Sequence, residues 1–286
     1  MNVFSRLRAG WHLSMRSLAV IQDHPKLMVF PLISGAALMA ILSTFGLAII
    51  VGLGFFAGSD WSSFSFNTEN NEGMSDLAGY ALSFLYYLVN YFIVVYFNVA
   101  LVHASREAFE GRRVSVRASM GHASRRIGKI FAWAAFAATV GTVINIVIER
   151  LGPLGGIVGG LLGFAWSIAV FFVVPVLAYE DVGPVQAVKR SAAILKEKWG
   201  ESLAANVSFG LVGVVGWVLA IIGGVALILL DFVFLGIIVI IAGILLTMVA
   251  ISAAKTVFLS AVYEHTRGFS PAYYERDTLD DVFVPK

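Results

Sequence analysis

The stretch 234–262, FLGIIVIIAGILLTMVAISAAKTVFLSAV, carries one charged residue, Lys255, and never alternates apolar with polar. A run of this length exceeds the roughly 20 helical residues that cross the hydrocarbon core of a bilayer. A closed β-barrel is the other structure that pairs all its backbone groups in lipid, and it needs a two-residue alternation that is missing here. The run therefore reads as a transmembrane helix. Five more runs of the same character lie near 27–57, 77–104, 127–148, 154–178 and 203–230. The fold class is all-α: a polytopic bundle of six transmembrane helices, with 1–263 as a single integral membrane domain and 264–286 as a cytoplasmic tail.

Composition points the same way. Of 286 residues, 59% are AVILMFWYC and 13% are DEKR, and mean hydropathy is +0.85. A soluble domain carries about 25% charged residues, and so few charges could not cover a soluble core of this size. A soluble enzyme, a disordered regulator and a nucleic-acid module are excluded. The count of zero cysteines removes disulfides, thiolate metal sites and cysteine nucleophiles. The first apolar run begins only at Leu27 and is too long for the core of a signal peptide. It is expected to remain as the first helix.

Charge placement gives orientation. With the N-terminus inside, 18 of the 20 Lys and Arg residues fall on inner segments, leaving Arg150 outside and Lys255 within a helix. The long outer loop, 58–76, holds Asp60, Glu69, Glu72 and Asp76 and no basic residue. The positive-inside rule then places both termini in the cytoplasm, across the inner (plasma) membrane.

Three basic amphipathic segments, 3–22, 112–126 and 184–199, each precede an odd-numbered spanning helix. Phe4, Leu7, Trp11, Met15, Leu18 and Ile21 form one helical stripe; so do Val116, Met120, Ala123 and Ile127, and Val185, Val188, Ala192, Leu195 and Trp199. Off those stripes lie Arg6, Arg8 and Arg16, then Arg112, Arg113, Arg117, Arg125 and Arg126, then Lys189 and Arg190. These ten are the candidate lipid-facing cations, suited to anionic headgroups. Packing of the same segments against the spanning helices is the alternative, and the two readings are compatible. The second and third segments align at an offset of 72, matching Gly111 with Gly183, Val116 with Val188, Arg117 with Lys189, Ser119 with Ser191 and Gly128 with Gly200. With the first segment they suggest a tandem repeat of surface helix plus transmembrane hairpin.

Chemistry-bearing constellations are scarce. His12, His24, His103, His122 and His265 show no metal-ligand spacing, and no phosphate loop, nucleophile elbow or dinucleotide fingerprint occurs. No catalytic residue, metal or cofactor is expected. Glu107 and Glu110 read as charged helix ends. Glu180, Asp181, Gly183 and Pro184 read as a cytoplasmic joint, whose acids could cap the next helix and pair with Lys189 or Arg190. Lys255 either snorkels to the inner interface or lines a pore or ligand site. No acid lies deep enough in a spanning run to neutralise it. Asn90, Asn98, Asn145 and Asn206 are either helix glue or a polar lining. Gly155, Gly159 and Gly163 form a face for close helix packing, with Gly210, Gly213 and Gly216 as a second, and either face could instead serve a homo-oligomer. Pro31 and Pro175 are expected to bend the first and fourth spanning helices.

The run 171–201, FFVVPVLAYEDVGPVQAVKRSAAILKEKWGE, resembles a signature of an uncharacterised prokaryotic family of six-helix integral membrane proteins, annotated only as a domain of unknown function. The opening 6–35, RLRAGWHLSMRSLAVIQDHPKLMVFPLISG, is similar to that family's N-terminus, and the tail with Tyr263, Leu279, Phe283, Pro285 and Lys286 to its end. A weaker likeness exists to the membrane domain of glycerophosphodiester phosphodiesterases, whose catalytic barrel has no room in this chain. The resemblance implies six helices and an inner-membrane location, and no activity. The expected function is a non-enzymatic membrane protein that organises lipid, anionic by preference, or partner proteins. The alternative is an oligomeric channel or facilitator for a small solute or ion of unknown identity. Nucleic acid is not an expected partner.

Overall fold

The computed structural model describes residues 3–56, 72–197, 199–269 and 273–274, with side chains over 11–47, 79–196, 207–269 and 273–274. Most of the outer loop, Lys198, the tail beyond Tyr274 and the side chains of Arg6, Arg8 and Asn206 lie outside the described residues. Among the described residues there are helices and turns and no strand.

Three units follow one another. Helix α1 (Val3–Asp23) leads into α2 (Val29–Phe56) and α3 (Glu72–Phe109). Helix α4 (Val116–Arg125) leads into α5 (Ile127–Arg150) and a divided helix, α6 (Gly155–Ala169) with α7 (Val173–Tyr179). Helix α8 (Pro184–Glu197) leads into α9 (Trp199–Leu229) and α10 (Val233–Thr266). Each unit is a short amphipathic helix followed by an antiparallel hairpin, the expected plan. Six stretches are long and apolar enough to cross a membrane: Pro25–Leu47, Gly79–Phe109, Ile127–Arg150, Gly152–Tyr179, Val207–Leu229 and Val233–Thr266. The chain is a multi-pass membrane protein.

The turns follow from local geometry. Gly111 (φ 68°) ends α3 and Gly268 (φ 81°) ends α10. In each case the following amide reaches back five residues, Arg112 to the Glu107 carbonyl and Phe269 to that of Glu264. Asp231 (φ 66°) performs the same task between α9 and α10, with Phe232 N–H on the Leu227 carbonyl. Asp is among the few side chains that tolerate this left-handed conformation. Ser115 caps α4 by accepting the Ala118 amide at 3.3 Å.

Buried apolar side chains concentrate at the basic end, where α1, α4 and α8 meet the spanning helices. They include Val99, Ala100, Leu101 and Val102 of α3, Val173, Val176, Leu177 and Ala178 of α7, and Val257, Phe258, Ala261 and Val262 of α10. At the other end Phe234 is 86% exposed. In a bilayer such a surface is covered by acyl chains.

Two hairpins close through glycine. Gly224 and Gly236 face each other so tightly that a Cβ on either would sit 2.5–2.6 Å from the other's carbonyl oxygen. Gly243 lies on Ala220, Gly216 on Thr247 and Gly213 on Ile251. In the α5–α6 hairpin, Gly155 and Gly159 both rest on Ile148. The expected glycine face is thus used within the chain at two of its three positions; Gly163 and Gly210 face open space. Pro31 sits in the first turn of α2 and leaves that helix continuous. The fourth spanning helix is broken rather than bent, at 170–172, and Pro175 stands in the first turn of the second piece.

Overpacking a close contact costs about 1–3 kcal/mol. Gly236→Ala and Gly155→Ala should therefore lower the melting temperature in detergent, while Gly163→Ala should leave it unchanged. Melting curves of the three variants check this.

Candidate functional site at the basic end

Helix α7 has five of its seven residues buried, and its two ends explain why. A broken helix inside a protein leaves amides at its start and carbonyls at its end, and each buried one must find a partner. At the start, Phe172 N–H donates to Ser191 Oγ of α8 at 2.9 Å. At the end, His122 Nε2 meets the Ala178 carbonyl at 2.8 Å. Arg126 donates to the carbonyls of Glu180 (2.7 Å), Leu177 (3.3 Å) and Tyr179 (3.4 Å). Two of the three amphipathic helices, α4 and α8, thus supply side chains that close α7.

Beyond α7 lies a joint of charges and rings. Arg190 Nε donates to Glu180 Oε1 at 3.1 Å, and Tyr263 OH donates to the same oxygen at 3.1 Å. The rings of Tyr179 and Tyr263 stack at 6.1 Å. Arg106 stands 5.2 Å over the Tyr179 ring, and Arg267 lies 5.8 Å from the Tyr263 ring, both within cation–π range. Arg106 Nη1 is 3.8 Å from Glu264 Oε1, and the Glu264 side chain is only 2% exposed. A buried carboxylate needs such cations to remain in place.

The expected joint of Glu180, Asp181, Gly183 and Pro184 is here, with a different wiring. Glu180 takes Arg190 as foreseen, whereas Asp181 pairs with Lys129 at the start of α5. At the start of α8, Gly183 N–H points to Gln186 Oε1 at 3.5 Å. Glu107 accepts the Ser115 amide, and Glu110 pairs with Arg106 and Arg112. Glu264, two residues past the apolar run that ends at Val262, is a buried acid that the sequence reading did not single out. Helix α10 runs four residues past Val262, and there it is surrounded by protein rather than lipid.

The candidate lipid-facing cations divide. Arg126 is turned inward to backbone carbonyls, Arg16 donates to the Tyr273 carbonyl at 3.3 Å, and Arg112 and Arg190 are ion-paired. Arg113, Arg117, Arg125 and Lys189 are exposed. The apolar stripes also sit differently from a simple core-facing arrangement. In α1 the buried side is Leu13, Ser14, Ser17, Val20 and Ile21, while Trp11 is 41% exposed. In α8 it is Ala187, Ser191, Ile194 and Leu195, while Val185 is exposed. In α4 it is Ser119 and Ala123. At 100° per residue, the bundle-facing sides of α1 and α8 are rotated about a quarter to a third of a turn from their stripes, and that of α4 about a seventh, with Ala123 common to both. A fully buried serine lies on each: Ser17, Ser119 and Ser191. Ser17 Oγ lies 2.7 Å from Tyr274 OH, and Ser119 Oγ lies 3.3 Å from His103 Nδ1. Small side chains here let the amphipathic helices approach closely, so this is the structural form of the repeat. Gly111 and Gly183, matched in sequence, differ: only the former has positive φ.

The candidate pore residues are not brought together. Asn90 bonds the Tyr86 carbonyl and Asn145 bonds Glu149, each one turn along its own helix. Asn98 accepts from Thr256 Oγ1 at 3.0 Å, joining α3 to α10. Asn98 and Lys255 line adjoining clefts that share Met248 and Ser252. Among the described residues no cluster could hold a metal ion. Sequence reasoning missed Glu264, His122 and the pair Tyr179–Tyr263. The matched Ser119 and Ser191 were the available signal for their surroundings.

Residues 77–270 match one protein family, described as a family of unknown function (DUF6159). The match takes in the 171–201 motif and leaves α1 and α2 outside. A search of curated proteins found no similar protein, so the likeness to glycerophosphodiester phosphodiesterases has no support there.

Burial, with Arg126, Arg125 and Arg106 nearby, holds His122 below its ordinary 6.5, against the opposing pull of the Ala178 carbonyl. The unfolded chain then takes up a proton that the folded chain resists. The stability involved is present above the ordinary value and is lost as pH falls below it. Melting temperature should drop between pH 7 and pH 5, and His122→Gln should flatten part of that drop. Arg126→Leu, which leaves α7 carbonyls bare, should cost about 1–3 kcal/mol at either pH.

Proposed function

Since the chain belongs to DUF6159, a family of unknown function, we propose from its own geometry that it is a non-enzymatic membrane protein that organises lipid at the inner leaflet. Partner proteins docking on the same face are a variant of this reading. In the proposed topology both termini and the basic end face the cytoplasm, and 58–76 faces outward. The observation that carries the proposal is the rotation of α1 and α8. They dock through serine-centred faces and leave Trp11 and Val185 outward. Lys189 is exposed on α8, and Arg117 and Arg125 are exposed on α4. An amphipathic helix held in this way lies at the acyl–headgroup boundary with its cations at the headgroups. The channel reading loses support because Asn90 and Asn145 bond within their own helices and Asn98 bonds Thr256.

Two experiments test this. A single cysteine at position 66 (F66C) on the cysteine-free chain should label from outside intact cells; labelling from the cytoplasm alone refutes the topology. Spin-labelled phosphatidylglycerol should be preferred over phosphatidylcholine at the protein surface. Each basic residue near such a surface contributes about 1 kcal/mol, so the R117Q/R125Q/K189Q variant should lose most of that preference. Equal selectivity of variant and wild type contradicts the proposal, and ion flux above that of protein-free vesicles favours the channel.

A further inference from the structure

Lys255 stands at the edge of an open-sided groove of about 420 Å³ on the α9–α10 hairpin. Phe209, Gly210, Gly213, Trp217 and Ser252 are among the other residues that line it, and no acid does. The volume lies within the about 300–1,000 Å³ of ordinary ligand sites.

Depth decides what fits. Lys255 is 22 residues from Val233, where α10 begins, or about 33 Å at 1.5 Å per residue. The hydrocarbon core is about 30 Å thick. With the Asp231 turn at one interface, Lys255 falls at the other, at the level of headgroup phosphates. From there the groove runs back along α9 and α10 through residues that lie in hydrocarbon. Gly210 leaves space in its floor, since a Cβ there would meet nothing within 4 Å. A single cation at headgroup depth, closing an apolar groove that opens to acyl chains, is complementary to one molecule with a charged head and an apolar tail.

We propose that this groove binds one anionic glycerophospholipid, its phosphate on the Lys255 ammonium and an acyl chain lying in the open groove along the surface of α9 and α10. The site rests on the reading of the chain as a lipid-organising protein, but it uses none of the surface-helix cations. The test is native mass spectrometry of the delipidated full chain with added phosphatidylglycerol, phosphatidylcholine or oleate. Wild type should hold one phosphatidylglycerol in preference to phosphatidylcholine. Lys255→Met should weaken it at least about fivefold, in line with one lost headgroup cation, and Lys255→Arg should retain it. Gly210→Leu, whose Cβ has open space, should occupy the groove and weaken both phospholipids. The R117Q/R125Q/K189Q variant should keep the single bound lipid, which separates this site from the surface-helix proposal. Unchanged binding in Lys255→Met or in Gly210→Leu overturns the site, as does retention of oleate in place of phosphatidylglycerol.

Discussion

Seven residues, Val173–Tyr179, impose the constraint on which the rest of the structure depends. A helix piece this short cannot pair its own backbone, because most of its amides or carbonyls fall in its first or last turn. Buried without partners, each such group would cost about 1–3 kcal/mol. The chain meets this by bringing α8 to one end and α4 to the other. Ser191 takes the Phe172 amide, and His122 and Arg126 take the terminal carbonyls. The amphipathic helices are therefore structural members as well as surface elements.

That arrangement places the packed core at the basic end. Once α7 is enclosed, Tyr179 brings Tyr263, Arg106 and Arg267 into one stack, and the half-exposed Arg106 reaches the buried Glu264. The membrane-facing halves need less from one another. Glycine contacts close two hairpins, and lipid covers the rest. Such a division suits a protein whose membrane part presents grooves to acyl chains while its basic end stays rigid.

Much of the architecture was legible. Six stretches long and apolar enough to span show as helices, the fourth in two pieces, because length and apolar composition are properties of the chain alone. The side each amphipathic helix turns to the bundle was not legible. The stripe of Trp11, Met15 and Leu18 is the more hydrophobic side, and hydrophobicity alone assigns it to a core. In a bilayer that preference is met equally well by lipid, so packing selects the side with the small residue, Ser17. Glu264 was missed for a related reason: a carboxylate after an apolar run looks like a helix end. Its burial depends on Arg106, more than 150 positions away in sequence. Gly163 and Pro175 show the limit of local rules, since the same residue types serve as a contact, an open position or a break according to the neighbouring helix.

The basic end is a packed core built around α7 and not a set of helix ends fraying into water. Hydrogen–deuterium exchange in lipid nanodiscs tests it most directly. Amides of 173–179 and 256–264, at the basic end, should exchange as slowly as those in the middle of α10. Exchange of those amides at the rate of an exposed helix, with protection confined to the membrane halves, would contradict it.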